Sequence, residues 1–364
     1  MRLGFYGSSL LSAYWNGAAT YYRGLLGAVS QLGWDITFFE PDAFDRQQNR
    51  DIDPPDWCRV VVYPATSDGL RSVLAEAGSF DVVVKASGVG VFDDELLDGV
   101  LQGARPGALR LFWDVDAPAT LAEARCADAH PVRRAMDHLD LVMTYGGGPP
   151  VVAAYLELGA RACHPIYNAV DAATHHPVSP DPAFQSDLGF LGNRLPDREA
   201  RVDSFFFEAA RRLPDRTFLL GGSGWHDARL PGNVRAIGHV PTGRHNAFNG
   251  TPLAVLNVAR ESMAAVGYSP ATRVFEAAGA AACLITDKWE GIELFLRPDE
   301  EVLVARDGAD VADLLAGLNR ERAAAIGRRA AQRVLAEHTY GQRAAEVDSI
   351  LRGELAQRRE VVAA

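Results

Sequence analysis

Short apolar runs alternate with longer amphipathic segments along most of the chain. The runs are rich in β-branched and aromatic residues and end in Gly, Pro, Asp or Ser, which is typical of buried strands. In the first half they predict strands at residues 3–6, 36–39, 60–63, 82–85, 109–113 and 141–144. Helical periodicity lies between most of them, at residues 21–32, 69–77, 94–101 and 151–158. The alternation predicts a doubly wound, mainly parallel sheet.

The rhythm breaks at residues 171–186, where three prolines and the pair His175-His176 indicate a linker. It restarts with predicted strands at residues 188–191, 218–220, 234–237, 253–256, 283–286 and 302–304, and with helices at 199–213 and 272–278. Further helices are predicted near 311–318, 320–337 and 340–355. We therefore expect two α/β domains, 1–170 and 187–338, followed by a final helical segment, 339–364. Their natural ligand cleft is at the carboxyl ends of the strands.

Composition and charge narrow the function classes. The chain has 364 residues, 48% of them apolar, which is enough for two cores. A net charge of −11 argues against sequence-independent binding to nucleic acids. The four cysteines form no CxxC pair, so we expect neither a zinc site nor a disulfide framework, and a cytoplasmic protein. The start, MRLGFYG, leads directly into a strand, and no apolar stretch has membrane-spanning length, so neither a signal peptide nor a span is predicted.

The most informative segment is residues 268–287, YSPATRVFEAAGAAACLITD. Its Ser-Pro pair predicts the first turn of a helix, with Arg273 and Glu276 near the helix start and an apolar strand behind it. Free N–H groups and the helix dipole attract anions, and an Arg and a Glu suit a phosphate and a sugar hydroxyl. The alternative is a solvated ion pair. Arg260, at the end of the preceding strand, favours a binding site, because strand ends converge on one crevice.

Glycine-containing loops follow other predicted strands of the second domain. Gly192-Asn193-Arg194 leads from a strand into a helix, and its glycine would let backbone amides approach a phosphate. Gly222 lies in a second loop, GGSGW, which makes room either for a ligand or for a neighbouring loop. His239-Val240 ends a further strand, where a base could bind, although His239 could equally be a structural residue. Single turns of this kind are also found without ligands.

The first domain offers two candidate segments. Residues 7–20, GSSLLSAYWNGAAT, form a long polar loop that contains Asn16, and long loops at this position are often functional. The run WDVDAP places Asp114 and Asp116 at a strand end, where one carboxylate could serve as a general base. The alternative for Asp116 is capping of the next helix. The histidines lack metal-ligand spacing, and no metal site is predicted.

These segments resemble the GT-B glycosyltransferases, and more closely their bacterial CgeB-like (spore-maturation protein-like) branch. The similar stretches are WNGAATYYRGL, FWDVDAPATL, TYGGGP, LGFLGN, NVRAIGHVP, LNVARESM and YSPATRVFEAAG, and they run through almost the whole chain. The Ser-Pro-x-x-Arg-x-Phe-Glu run is the most specific. The resemblance implies two Rossmann-like, doubly wound parallel-sheet domains facing each other across a cleft. The first would be the acceptor side and the second the donor side, with the last helix crossing back to the first.

The resemblance also implies residue roles. Glu276 would bind ribose hydroxyls, His239 and Val240 would border the base, and the Asn16 loop would close over the sugar and the acceptor. The diphosphate would be held by Arg273, by the backbone at Ser269, Pro270, Ala271 and Thr272, and by the loop Gly192, Asn193 and Arg194. Many retaining relatives carry a second glutamate eight positions earlier, where this chain has Tyr268, so retention or inversion stays open.

We therefore expect a metal-independent glycosyltransferase, either a hexosyl- or a pentosyltransferase. It would move a sugar from a nucleoside-diphosphate-sugar donor to an unidentified acceptor, with Asp116 as the preferred acceptor-side group, and would need no further cofactor. Side chains and helix dipoles would offset the charge of the leaving diphosphate. Two alternatives are an epimerase or phosphorylase on the same fold and a non-catalytic nucleotide-sugar-binding protein. A homodimer is left open.

Overall fold

A computed structural model describes the backbone of residues 1–363 and the side chains of residues 1–358. The last residue of the predicted segment 339–364 lies outside this range. The chain divides into two compact units. The first comprises Met1–Tyr167 and the chain from Tyr340 onward, and the second comprises Asn168–Thr339. Residues 171–186, predicted as a linker, therefore belong to the second unit.

The first unit is built on seven parallel strands in the order β3-β2-β1-β4-β5-β6-β7. The strands are β1 (Arg2–Tyr6), β2 (Asp35–Asp42), β3 (Cys58–Pro64), β4 (Val82–Ala86), β5 (Leu109–Asp114), β6 (Leu141–Thr144) and β7 (Cys163–Pro165). The helices are α1 (Ala18–Gln31), α2 (Ser67–Leu74), α3 (Asp93–Gly103), α4 (Ala117–Cys126), α5 (Pro131–Ala135) and α6 (Gly148–Glu157), with α14 (Tyr340–Ala363) from the end of the chain.

The second unit repeats the plan with six parallel strands in the order β10-β9-β8-β11-β12-β13. They are β8 (Leu188–Leu191), β9 (Phe218–Gly221), β10 (Val234–Gly238), β11 (Ala254–Asn257), β12 (Leu284–Asp287) and β13 (Leu303–Ala305). The helices are α7 (Pro196–Val202), α8 (Glu208–Arg212), α9 (His245–Gly250), α10 (Glu261–Val266), α11 (Thr272–Gly279), α12 (Gly308–Ala316) and α13 (Arg320–Glu337), with a π-helical turn, Asp203–Phe207, between α7 and α8.

Each sheet has one point where the strand order reverses. In the first unit this is the β1/β4 boundary, and in the second it is the β8/β11 boundary. Open α/β sheets bind ligands outside the carboxyl ends of the strands at such a point. The loop after β8 begins at Gly192, and Arg260 follows β11 closely. Two of the predicted site segments therefore lie at the reversal point of the second sheet.

All predicted strands are confirmed, but several elements escaped prediction. Strand β7 has only three residues and ends in Pro165, and β2 continues past the predicted end through the polar Glu40. Helices α5, α9 and α10 have five or six residues, too short for a visible apolar stripe. Of these, α9 matters for function because it contributes two residues to the candidate site described below.

Aromatic side chains fill the core of the first unit. Phe5 and Phe38 stack with ring centroids 5.3 Å apart. The polar ends of two of the buried aromatic rings have partners: Trp113 donates to the Tyr21 hydroxyl at 3.1 Å, and Tyr21 donates to the Ile166 carbonyl at 2.8 Å. These bonds allow Tyr and Trp to be buried without losing hydrogen bonds. They also fasten α1 to the sheet.

Within residues 1–363, no helix combines the length and the apolar character that crossing a membrane requires.

Glycine at position 24 lets α1 and α14 approach closely. A Cβ there would lie inside contact distance of the Tyr340 ring. We expect Gly24→Ala to destabilise the protein by about 2 kcal/mol, because overpacking outweighs the better helix propensity of alanine. Urea unfolding measures the change.

Gly353 is the matched control, since it lies in α14 and a Cβ there meets no atom within 4 Å. Gly353→Ala should stabilise by about 0.5–1 kcal/mol, as expected for Gly→Ala in a helix interior. A stabilising Gly24→Ala would show that the two helices are not closely packed.

Candidate functional site

The start of helix α11 lies at the centre of the candidate site. The helix begins at Thr272 with Ala271 as its N-cap, and no side chain caps it. Pro270 therefore precedes the cap and does not occupy the first turn, which corrects the predicted helix start. Its carbonyl accepts a hydrogen bond from Asn168 Nδ2 at 3.0 Å. Without a side-chain cap, the first N–H groups of α11 are left for a ligand or water.

Arg273 and Glu276 form an ion pair one turn apart, with Arg273 Nη1 2.9 Å from Glu276 Oε2. The alternative interpretation required a solvated ion pair. This pair is buried instead, because its side chains are only 15% and 8% exposed. Arg273 Nη1 also reaches Asn249 Oδ1 of α9 at 3.4 Å. Helices α9 and α11 are thus joined through a buried polar contact.

Two histidines accompany this carboxylate. His175, assigned to a linker from the sequence, is 3% exposed, and its Nε2 lies 4.0 Å from Glu276 Oε1. His245 belongs to α9, one turn before Asn249. Burial alone would raise the pKa of Glu276, but neighbouring positive charge, chiefly that of Arg273, outweighs burial and holds that pKa below its usual range. Glu276 is therefore ionised at neutral pH.

The proton on His245 can be assigned. Its Nε2 lies 3.1 Å from the Val240 carbonyl, which can only accept, so Nε2 carries the hydrogen. Burial, followed by the charge of Arg273, lowers the pKa of His245 to about 4, so the ring is neutral at pH 7. Nδ1 is consequently an acceptor, and it is buried without a hydrogen-bond partner.

Several neighbouring polar atoms share this condition. Buried polar atoms normally have hydrogen-bond partners, and leaving one without costs about 1–3 kcal/mol. Around the start of α11, the buried atoms without a hydrogen-bond partner are Glu276 Oε2, Arg273 Nε, His175 Nδ1, His245 Nδ1, Asn249 Nδ2 and Asn168 Oδ1. Together these six residues are called the α11 cluster below. It presents both acceptors and donors, which suits a ligand with several hydroxyl groups.

The glycine loops of the second unit bind to one another. Gly192 donates to the Gly221 carbonyl at 3.0 Å, and Gly222 donates to the Gly238 carbonyl at 2.7 Å. Gly222 has a φ of +119°, and a Cβ there would overlap the Gly192 carbonyl. Its glycine therefore makes room for a neighbouring loop. Trp225 donates to the Gly192 carbonyl at 2.8 Å and packs into the core.

Two side chains of the loop after β8 already have hydrogen-bond or ion-pair partners within the protein. Asn193 Oδ1 accepts from the Ser223 amide at 2.9 Å. Arg194 is paired with Glu199 at 2.5 Å and with Asp227 at 2.6 Å. Two carboxylates offset its charge, so its field on a nearby phosphate is weak. The phosphate-binding roles of Gly192, Asn193 and Arg194 stay predictions.

The remaining residues predicted for the second unit have different surroundings. His239 is exposed, whereas Val240 is buried in a small apolar cluster beside Phe248. Arg260 lies at the start of α10 and pairs with Asp197 at 2.5 Å. Ser269 is 5% exposed, beside the start of α11.

Tyr268 has a left-handed backbone (φ 48°), and its hydroxyl donates to Glu290 Oε1 at 3.0 Å. Its ring lies against Gly291, where a Cβ would overlap it. The residue at the place of the missing glutamate is thus fastened to the loop after β12.

In the first unit, the predicted Asn16 holds its own loop together. Its amide donates to the carbonyls of Ser9 at 2.9 Å and Ser12 at 3.1 Å, and its Oδ1 accepts from Ser8 at 3.0 Å. The side chain is 7% exposed. These contacts make Asn16 an organiser of the loop after β1, and direct contact with a substrate stays a prediction.

The two carboxylates after β5 have different surroundings. Asp114 is fully buried and accepts from Ser87 at 2.7 Å and from Thr120 at 3.1 Å, and also from Tyr155. Burial raises its pKa. Asp116 is half-buried at the N-cap position of α4 but makes no capping bond. It lines a cavity of about 330 Å³ with Lys85 and His130, among others.

Among the side chains of residues 1–358, no three His, Cys, Asp or Glu residues come together in a way that could hold a metal ion.

Comparison with known proteins agrees with this architecture. The sucrose-phosphate synthase of Thermosynechococcus elongatus superposes with a TM-score of 0.74 at 14% identity, covering 98% of this chain and 100% of that one. Anabaena HepE, solved with UDP and glucose, gives 0.68 at 13% identity over 97% and 100%. AviGT4, a glycosyltransferase involved in avilamycin A biosynthesis, gives 0.62 at 17% identity over 98% of each chain. The chain has the GT-B glycosyltransferase fold.

A family model described as Glycosyl transferase-like matches residues 198–349 of this GT-B chain. The match includes α9 and α11. The predicted fold class and the predicted enzyme class, a glycosyltransferase, are confirmed by this domain together with the fold. A comparison with curated proteins gives no significant match.

Sequence reasoning found two of the six residues of the α11 cluster of this GT-B protein. Arg273 and Glu276 were visible because they follow a helix-start signal. Asn168 and His175 come from before β8, and His245 and Asn249 come from the short helix α9. An i,i+4 His-x-x-x-Asn pair was the one local signal available for the last two, and it gains meaning only once α9 is known to pack on α11.

The neutral state of His245 predicts a pH effect on the GT-B domain. Because its folded pKa of about 4 lies below the ordinary value of 6.5, the unfolded chain binds the proton more readily. This stabilising contribution is complete above pH 6.5 and is lost as the pH falls toward 4. Between pH 7 and pH 5, the free energy of unfolding of the wild type should fall by about 2 kcal/mol more than that of His245→Gln. In this variant the glutamine amide can still donate to the Val240 carbonyl.

Urea unfolding at a series of pH values measures this difference. The two proteins should have parallel pH dependences above pH 7, which is the internal control. Equal losses between pH 7 and pH 5 would show that His245 is not held neutral by the fold.

Proposed function

We propose that the protein is a glycosyltransferase that takes a sugar from a nucleoside-diphosphate donor bound by the second unit. The observation that carries the proposal is the α11 cluster. Three other buried carboxylates are saturated, since both oxygens of Asp114, Glu40 and Asp287 accept hydrogen bonds. Glu276 Oε2 accepts none. A buried carboxylate kept ionised and unsaturated is suited to a ligand hydroxyl.

The ribose of the donor matches the cluster in hydrogen-bonding type. One hydroxyl would donate to Glu276 Oε2 and the neighbouring one to His245 Nδ1, since both atoms are acceptors. Asn249 Nδ2, a donor without a partner, would give its hydrogen to one of these hydroxyl oxygens. A cis-diol therefore satisfies two orphaned acceptors and one orphaned donor together. His175 would hold Glu276 in place from its other oxygen.

The diphosphate is proposed to lie at the uncapped start of α11. There the backbone N–H groups, the helix dipole and the Arg273 guanidinium all favour negative charge. These groups would take the charge of the leaving group without a metal ion. UDP is the first nucleotide to test, because HepE was solved in complex with UDP and with UDP-glucose.

The reaction follows from these assignments. The bond between the anomeric carbon and the diphosphate oxygen breaks, and its electrons leave with the nucleoside diphosphate. The acceptor oxygen forms the new bond to the anomeric carbon and gives up its proton. Asp116, at the carboxyl edge of the first sheet, is the proposed base, and the Asn16 loop is proposed to shape the acceptor side.

Finer expectations belong to the same proposal. The long run of CgeB-like motifs supports placement in that branch, and the free, widely spaced cysteines support a cytoplasmic location. Both are inferences from the sequence.

Donor binding should depend on the ion pair of α11. Glu276→Gln keeps the shape but removes the charge, and we expect its affinity for UDP to fall by at least about tenfold, or about 1.4 kcal/mol. Arg273→Gln should have a similar effect, because it removes a cation beside the diphosphate. Isothermal titration calorimetry measures both, after a thermal-shift screen with UDP, GDP, dTDP, ADP and CMP.

Arg212→Gln is the matched control, since Arg212 is an exposed partner of Glu208 on α8. It should bind nucleotide as wild type does. Unchanged affinity in both α11 variants would refute the donor site.

The two ribose hydroxyls should be recognised separately. Wild type is expected to bind UDP about tenfold more tightly than 2′-deoxyUDP and 3′-deoxyUDP, because each analogue leaves a buried partner unsatisfied. In His245→Gln one of these two penalties should disappear and the other should remain. Competition calorimetry with the three nucleotides gives the ratios, and two undiminished penalties would remove His245 from the ribose site.

A further inference from the structure

Arg46 is a buried cation at the strand-order reversal of the first sheet. It follows β2 and is 8% exposed. Its Nη1 donates to the carbonyls of Ser8 at 3.2 Å and Val89 at 3.3 Å. Ser8 follows β1 and Val89 follows β4, the two strands that flank the reversal point. The guanidinium thus lies where an open α/β sheet binds its ligand.

The guanidinium has no anionic partner within ion-pair distance. No carboxylate among the described side chains lies within 4 Å of it, and its Nε is buried without a hydrogen-bond partner. Glu40 and Tyr22 act on the guanidinium electrostatically from longer range. The oxygens of Glu40 are already occupied by Ser9, by two backbone amides and by Gln47. Burial lowers the pKa of Arg46, and Glu40 and Tyr22 oppose that shift only in part.

The turn that presents Arg46 is held in a costly conformation. Phe44 and Asp45, directly before it, have positive φ values of 58° and 55°. Such backbone costs about 1 kcal/mol or more for residues other than glycine. The Phe44 ring lies under the guanidinium, 5.0 Å from it, and fits against Gly90, where a Cβ would meet the ring at 2.7 Å. The turn is thus anchored to the loop after β4.

We propose that Arg46 forms an anion site at the β1/β4 edge that binds a phosphate or carboxylate group of the acceptor. An isolated buried charge is strongly unfavourable unless an opposite charge joins it, and a bound anion would supply that charge. Guanidinium groups match the oxygens of phosphate and carboxylate geometrically. Identification of the anion as part of the acceptor rests on the proposed function, whereas the anion site does not.

The position also suits an acceptor. Ser87 and Gly88, directly before Val89, line the cavity that contains Asp116. An acceptor whose anionic group lies at Arg46 would therefore have its body along the same edge of the sheet as the proposed base. The acceptor would then carry a phosphate or carboxylate group.

The test is a titration with inorganic phosphate at constant ionic strength, in which the melting temperature of the protein is measured at each phosphate concentration. The protein carries Arg273→Gln, which removes the cation of the proposed donor site. We expect a saturable stabilisation that Arg46→Gln weakens at least tenfold. Arg50→Gln is the matched control, since Arg50 is exposed and bonds only to Gln47 among described residues. It should respond as the parent does. Acetate in place of phosphate distinguishes a carboxylate from a phosphoryl group.

A phosphate response that is absent, or unchanged by Arg46→Gln, would overturn the proposal. Arg46→Lys covers the case in which Arg46→Gln does not fold, because it keeps the charge and loses the fork of donors. In wild type, the Nε–H resonance that Arg46→Lys removes should shift on phosphate addition, and a stationary resonance would also overturn the proposal. UDP binding measured on Arg46→Lys tests the donor site separately, so failure of one site is distinguishable from failure of the other.

Discussion

The burial of one ionised carboxylate, Glu276, organises the candidate site. Removing a carboxylate from water costs several kcal/mol unless opposite charge and hydrogen bonds compensate. Arg273 supplies the charge from the same helix, and His175 approaches the second oxygen. Arg273 also reaches Asn249, which brings helix α9 against α11 and with it the neutral His245. One compensation requirement thereby determines which elements meet at the site.

The compensation at Glu276 is incomplete, in contrast to that at three other buried carboxylates. Asp114 and Glu40 in the first unit are surrounded by neutral donors that use both oxygens. Asp287 in the second unit has Arg201 on one oxygen and a backbone amide on the other. Saturated groups of this kind stabilise loops. The Glu276 carboxylate has an ion-pair partner but accepts no hydrogen bond at Oε2 within the described chain, so a ligand hydroxyl can still donate to that oxygen.

The sequence predicts the architecture well because parallel strands covered on both faces are continuous apolar runs. It also predicts Arg273 and Glu276, since the Ser-Pro pair marks the nearby helix start. It does not predict His175, His245 or Asn249. Their roles arise from tertiary packing of a proline-rich segment and a six-residue polar helix, neither of which has an apolar period. Arg46 was missed for the same reason, because the surrounding PDAFDRQQNR is indistinguishable from an ordinary polar turn.

The cations near the two reversal points are compensated differently, and this difference limits where anions can bind. In the second unit, Arg194 forms ion pairs with two carboxylates, and Arg260 forms one with Asp197. A diphosphate there would gain little from these side chains, so the attraction must come from backbone amides, the start of α11 and Arg273. In the first unit, Arg46 donates to two backbone carbonyls and lies over the Phe44 ring. The two sheets thus share one topology. At the reversal point of the second sheet an anion would meet mainly oriented backbone dipoles, whereas at that of the first it would meet a guanidinium that has no ion-pair partner among the described residues.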